Sequence, residues 1–251
     1  MDLFSDCHCW WKLDDDSEEF NDVYNEVNSS FHGKCYPDVS GEMSETGKLG
    51  KCFYFEGGVS DDYVKIHDCD GGNFPSGDWT IAFWLKDNGT AALGDNRRWI
   101  SKRAGDSPYE GYEFMYRNTN KLKFRVITVD VDKSVESTTL FNDSSWHFVL
   151  GERDGSTIRL FVDGSQEGGD ITGVTGSMNA DDEAVCFGKH SFYYSYYSKG
   201  WLDQVMMWAR KLSASEKRWL WNNGSGQPGL VSVPRPLVGG SLADGRKGMV
   251  A

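Results

Sequence analysis

No stretch of this 251-residue chain approaches the roughly 18 consecutive apolar residues of a membrane-spanning helix. Its start, Met1-Asp2-Leu3-Phe4-Ser5-Asp6, is acidic and lacks the apolar core of a secretory signal, so export by that route is not expected. Positive charge is scarce. Against 38 acidic residues stand 26 basic ones, a net charge of −12, which leaves no basic face for nucleic acid or an anionic membrane surface. The six cysteines (Cys7, Cys9, Cys35, Cys52, Cys69 and Cys186) are too few for the length to act as a disulfide framework, and without a signal reduced thiols are expected. Cys7-His8-Cys9 lacks the ligand spacing of a zinc site, and no second Cys/His pair follows it. Sequons at Asn28, Asn88, Asn142 and Asn223 carry no meaning without secretion. There is no Gly-x-Ser-x-Gly elbow and no glycine loop leading into a helix to cradle phosphate.

What the sequence does have is alternation. Runs of β-branched and aromatic residues recur with period two, as half-buried strands require. They are Trp10–Leu13, Lys51–Phe55, Tyr63–Ile66, Trp79–Lys86, Trp99–Lys102, Tyr112–Arg117, Leu122–Val131, Trp146–Glu152, Thr157–Val162, Ala184–Gly188 and Trp201–Trp208. Asn118-Thr119-Asn120-Lys121 and Asp154-Gly155 read as hairpin turns, and Asp163-Gly164 closes a further strand. One helix is expected, with Ser213 as N-cap, Glu216 completing a capping box, and a stop at Gly224. About a dozen short strands with one late helix point to an all-β sandwich or jelly roll. Residues 17–46 read as a polar, turn-rich insertion. Residues 227–251 read as a Gly/Pro-rich arm that either packs on its own domain or clasps a neighbouring subunit.

Four segments, in order, resemble the laminin-G-like branch of the concanavalin-A-like lectin/glucanase superfamily. They are Gly47-Lys48-Leu49-Gly50-Lys51-Cys52-Phe53-Tyr54-Phe55-Glu56-Gly57-Gly58 with Asp62-Tyr63-Val64; Asp78–Leu85; Trp146-His147-Phe148-Val149 with Asp154-Gly155 and Leu160-Phe161-Val162-Asp163-Gly164; and Gly200–Trp208 with Leu212–Glu216. The resemblance runs from about Trp10 to Gly226. It implies a two-sheet antiparallel jelly roll occupying residues 1–226, in agreement with the strand pattern.

Enzymes of similar fold place paired carboxylates as Glu-x-Asp-x-x-Glu on one strand. Here the nearest approach is Glu152-Arg153-Asp154-Gly155-Ser156-Thr157, where Thr157 replaces the second acid, so no catalysis is expected. His147 reads as a structural histidine at a strand start. The resemblance implies one structural Ca²⁺, with Asp203 as carboxylate ligand and a turn carbonyl near Gly57; Asp61-Asp62 is a second candidate.

For binding, the sequence offers two aromatic groups. Ser191-Phe192-Tyr193-Tyr194-Ser195-Tyr196-Tyr197-Ser198 does not alternate and reads as a loop. Its Tyr193, Tyr194, Tyr196 and Tyr197 suit stacking on sugar rings or a protein contact, and equally covering their own sheet. The second group is Arg97-Arg98-Trp99 with Tyr109, Tyr112, Tyr116 and Arg117, where Tyr112, Phe114 and Tyr116 share a sheet face, expected to be concave. Arg235, Arg246 and Lys247 of the arm could pair with an acidic neighbour. The reading reached is a non-catalytic structural or adhesion protein at the surface of a virus-like particle, as a phage decoration or tail protein. Its jelly roll would contact surface glycans and its arm would grip neighbouring subunits. A free-standing lectin module and a divergent glycoside hydrolase are the alternatives.

Overall fold

The computed structural model describes residues 3, 6–36, 39–57, 62–67, 72–74, 76–88, 96–105, 109–116, 119–178, 180, 183–193 and 196–227. The expected roles of Tyr194, Asp61, Arg117 and the arm beyond residue 227 lie outside these residues.

Sixteen strands form among them: β1 (Cys7–Trp11), β2 (Asp22–Val23), β3 (Gly33–Tyr36), β4 (Ser44–Thr46), β5 (Lys51–Phe55), β6 (Tyr63–Ile66), β7 (Trp79–Asp87), β8 (Arg98–Arg103), β9 (Gly111–Tyr116), β10 (Lys121–Ile127), β11 (Asp132–Leu140), β12 (His147–Asp154), β13 (Thr157–Val162), β14 (Ser165–Thr172), β15 (Val185–Phe187) and β16 (Gly200–Trp208). They build two antiparallel sheets. The first runs β14-β13-β12-β7-β16-β5-β4, with β1 also paired to β16; the second runs β11-β10-β9-β8-β15-β6-β3-β2. This is the expected jelly-roll sandwich.

The alternation in the sequence decides which side chains lie between the sheets. In β7, Trp79, Ile81, Phe83 and Leu85 enter the inter-sheet core, while Ala82 and Trp84 join a second cluster on the outer face of the first sheet. Phe114 spans the core, stacked on Phe124 at 4.7 Å and edge-on to Phe83 at 4.9 Å. The outer cluster exists because helix α1 (Ala214–Trp221) lies over the first sheet and sets Leu220 against it. Eight residues are too few to be stable alone, so this helix depends on that packing. Its start is fixed as the sequence implies: Ser213 and Glu216 form a capping box, and Arg210 Nη2 clamps Glu216 at 2.9 Å.

Several elements differ from expectation. The 17–46 segment is not merely a looped insertion. Its β2 and β3 extend the second sheet through β6, and β4 extends the first through β5. The Leu122–Val131 run breaks at Ile127, where the Thr128 hydroxyl accepts from Val131 N–H and reverses the chain into β11. The first tight hairpin turns at Gly155-Ser156, because Asp154 still pairs with Thr157. Five cysteines are described, all buried and none in a disulfide. Burial pushes the Cys7, Cys35 and Cys186 thiols up to about 12, which keeps the reactive thiolate scarce at neutral pH.

Candidate functional site

The aromatic loop after β15 folds back over the outer face of the second sheet. Ser191 fastens it there. Its hydroxyl accepts from Arg103 N–H at 2.9 Å, donates to Arg103 C=O at 2.9 Å, and contacts the Ser101 hydroxyl at 3.2 Å. A second tie is backbone: Arg98 N–H donates to Tyr196 C=O at 3.0 Å. Tyr196 adopts φ +67°, a left-handed conformation unusual for tyrosine. Strain of this sort is held only where surrounding contacts fix the backbone.

Beneath the loop lies a buried charge cluster that the alternation of β8, β9 and β10 turns outward. Glu113, fully buried, sits at its centre. Its carboxylate accepts from Arg98 Nε at 2.8 Å and Arg125 Nη1 at 3.3 Å, and lies 3.9 Å from Arg103 Nη1. Burial pushes this carboxyl up, but the charge and hydrogen bond of Arg98, with the charge of Arg103, outweigh it and hold it below the ordinary carboxylate range. His190 Nε2 lies 3.3 Å from Glu113 Oε1. Its Nδ1 accepts from the N–H groups of Phe192, at 3.0 Å, and Tyr193, at 3.3 Å. With Nδ1 accepting twice, the proton of the neutral ring sits on Nε2 toward Glu113, and Arg103 Nη1, also 3.3 Å from Nε2, approaches without a hydrogen bond to it. Burial, with the nearby Arg98, Arg103 and Lys189 charges, lowers the imidazole pKa to about 4 against the opposing pull of Glu113, so His190 is neutral at pH 7.

On this base the rings stand in a connected group. Tyr193 lies 4.9 Å from the His190 ring and 5.2 Å from Phe192; Tyr196 lies 6.3 Å from Tyr193. The Arg98 guanidinium sits 5.1 Å from the Tyr196 ring, and Arg103 the same distance from Tyr109. Phe192, Tyr193, Tyr196 and Tyr109 are 44, 40, 39 and 44% exposed, a high figure for large aromatics anchored this firmly. Phe192 packs so closely on Gly105 that any side chain there would overlap its ring.

The two aromatic groups of the sequence therefore meet only in part. Tyr193, Tyr196, Arg98 and Tyr109 come together. Tyr197 turns aside toward Tyr63, 6.5 Å away, where Tyr63 stacks on Tyr36 at 4.3 Å. Trp99, Tyr112 and Tyr116 do not belong to the site. The face that Tyr112, Phe114 and Tyr116 share is the inner one, and all are buried with Trp99 in the inter-sheet core. Tyr112 donates to Gly72 C=O at 3.1 Å, and Tyr116 packs edge-on to Trp99 at 5.8 Å. Glu113, Arg103, His190 and Ser191 were missed. The sole signal was Glu113 placed between Tyr112 and Phe114, a charge at an outward position of an aromatic strand.

The Asp203 and Gly57 pair does not converge. Gly200 pairs with Phe55, so Gly57 lies beyond that end, against Ser198 C=O, while Asp203 lies three residues further along β16. Asp203 accepts instead from Leu49 N–H at 2.9 Å. Burial, reinforced by Asp14, raises its pKa to about 8. Among the described residues no group of three or more His, Cys, Asp or Glu side chains could hold a metal. His147 is held by two carboxylates, Nδ1 2.7 Å from Asp163 and Nε2 3.2 Å from Asp143, which ties its strand start to the next hairpin.

A family model described as concanavalin A-like lectin/glucanases superfamily matches residues 56–216, well over half of the sequence. The chain belongs to this superfamily. Among solved structures, this superfamily member is similar to the binding domain of Paraclostridial Mosquitocidal Protein 1, with a TM-score of 0.68 and 13% identity over 88% of this chain and 53% of that one. It is also similar to the receptor binding domain of botulinum neurotoxin C/D mosaic serotype (TM-score 0.65, 10% identity, 88% and 52% covered). A third is the botulinum neurotoxin serotype D ligand binding domain in complex with N-acetylneuraminic acid (0.62, 10%, 87% and 51%). The chain thus spans about half the length of these structures. At these identities the likeness establishes a shared lectin-like jelly roll. No curated protein matches the sequence. No helix among the described residues is long and apolar enough to cross a membrane.

Proposed function

We propose that the protein is a non-catalytic carbohydrate-binding module. Its glycan site is the platform of Tyr193, Tyr196, Tyr109 and Phe192. The observation that carries this reading is the contrast between those exposed rings and the buried Glu113–arginine–His190 base that fixes them. Flat rings with hydroxyls at their rims stack on the apolar face of a sugar and hydrogen-bond its edge. A platform already ordered loses little conformational entropy on binding.

The same geometry supports a non-catalytic reading. Glu113 is enclosed by Arg98, Arg125 and His190, with no access for water or a glycosidic oxygen. Glu152 is likewise buried and paired to Arg159 at 3.4 Å. Sialylated glycans are the first candidates, since the similar binding domains include complexes with N-acetylneuraminic acid and with SialylT. A role at the surface of a virus-like particle, with subunit contacts through the arm, rests on residues outside those described and has no support in the site. A glycan array with the full chain tests the binding reading. Binding that disappears in Tyr193→Ala and Tyr196→Ala, with the fold retained, supports it; an array blank for the wild-type protein overturns it.

A further inference from the structure

A second cavity, of about 550 Å³, opens on the opposite side of the molecule, between α1 and the outer face of the first sheet. Its floor is Phe148, Leu150 and Phe161 from β12 and β13, and its walls include Leu212 and Trp221. The volume lies within the range of small-molecule sites. Four cations line it (Arg159, Lys211, Lys217 and Arg218) with one carboxylate, Glu152; Asp154 and Asp170, each 2.8 Å from Arg159, already pair much of this charge. Glu152 is buried at the back and holds Lys217 and Arg159. Lys211 pairs with Asp154 at 2.5 Å at the rim. Exposed Arg218 has no ion-pair partner among the described residues.

We propose that this groove binds an amphipathic organic anion, with an apolar or aromatic body and a carboxylate or sulfonate head. The phenyl and leucine floor accepts the body, and Arg218 with Lys211 accepts the head. Arg218, without an ion-pair partner among the described residues, favours an anionic head over a cationic one. The groove is preformed. The capping box and the Arg210–Glu216 pair fix the helix, and Gly164 at φ +79° lets Trp221 close one end. This site is independent of the aromatic platform, and either can fail without the other.

The test is a fluorescence titration of the full chain with 1-anilinonaphthalene-8-sulfonate, followed by displacement with octanoate, octanol and octylamine. Saturable binding is expected, displaced by octanoate at concentrations at least tenfold lower than octanol and not displaced by octylamine. Gln166→Trp, on the exposed edge strand β14, fills the mouth and abolishes binding. Arg218→Glu weakens it at least tenfold. Both positions are exposed, and circular dichroism with thermal melting confirms that the variants fold. No saturable signal, equal displacement by octanol or octylamine, or undiminished binding in both folded variants overturns the proposal.

Discussion

Asp203→Asn is expected to stabilise the protein, and to do so only above acid pH. Asp203 is fully buried on β16, with Oδ2 held by Leu49 N–H and Oδ1 without a hydrogen-bond partner. Burial and Asp14 raise its pKa from 3.8 to about 8. The folded state therefore keeps a proton that the unfolded chain releases near pH 4. Below that value Asp203 costs nothing. Between pH 4 and 8 the unfolded state binds fewer protons, so stability falls as pH rises, and above pH 8 the loss is complete. At about 1.4 kcal/mol per pKa unit, the full interval corresponds to roughly 6 kcal/mol, comparable with the whole stability of many domains. Asparagine stays neutral throughout and keeps the acceptor for Leu49. Urea denaturation at pH 4, 6 and 8 measures the difference. Near-equal stability is expected at pH 4, and a variant more stable by several kcal/mol at pH 8. Parallel pH profiles, or a less stable variant at pH 8, refute the reasoning. The second result is the one a calcium-held, ionised Asp203 would give.

Two further predictions follow from the site and the groove. The His190 pKa is lowered to about 4, so the stability it supports is present above pH 6.5 and lost as pH falls toward 4. The difference between wild type and His190→Gln in denaturant melts should shrink by roughly 3 kcal/mol across that window, and a constant difference contradicts the lowered His190 pKa. Gly164→Ala should destabilise the fold by roughly 1–3 kcal/mol, because its backbone is left-handed and the new methyl would sit 2.5 Å from the Trp221 ring. An unchanged melting temperature would contradict the packing of Trp221 on that turn.

The central strands were legible because burial on both faces of the first sheet gives an almost unbroken apolar run, as in Trp79–Leu85. The helix was legible from its cap alone. Strands β11 and β14 were not, since both are polar edge strands; β14 has no buried residue, and its Glu167 is spent capping Thr138 and Thr139 N–H groups of β11. In the site, the tyrosine run announced a loop with exposed rings. Alternation also placed Tyr112 and Tyr116 on one face, but period two cannot say which face is inner. That choice depends on the pairing of β9 with β8 and β10, which puts Tyr112 and Tyr116 inside and Glu113 out. The spacing of Asp203 and Gly57 depends on the same kind of information. Strand register, which no local motif encodes, separates Gly57 from Asp203.

The most direct measurement is the affinity of a glycan selected from the array for the wild-type protein and for Tyr193→Ala and Tyr196→Ala, by titration calorimetry. Both rings are exposed, so both variants should keep the wild-type melting temperature while binding falls at least tenfold, in line with about 1.4 kcal/mol or more per stacked ring. Wild-type affinity in both folded variants would place the glycan elsewhere and contradict the account.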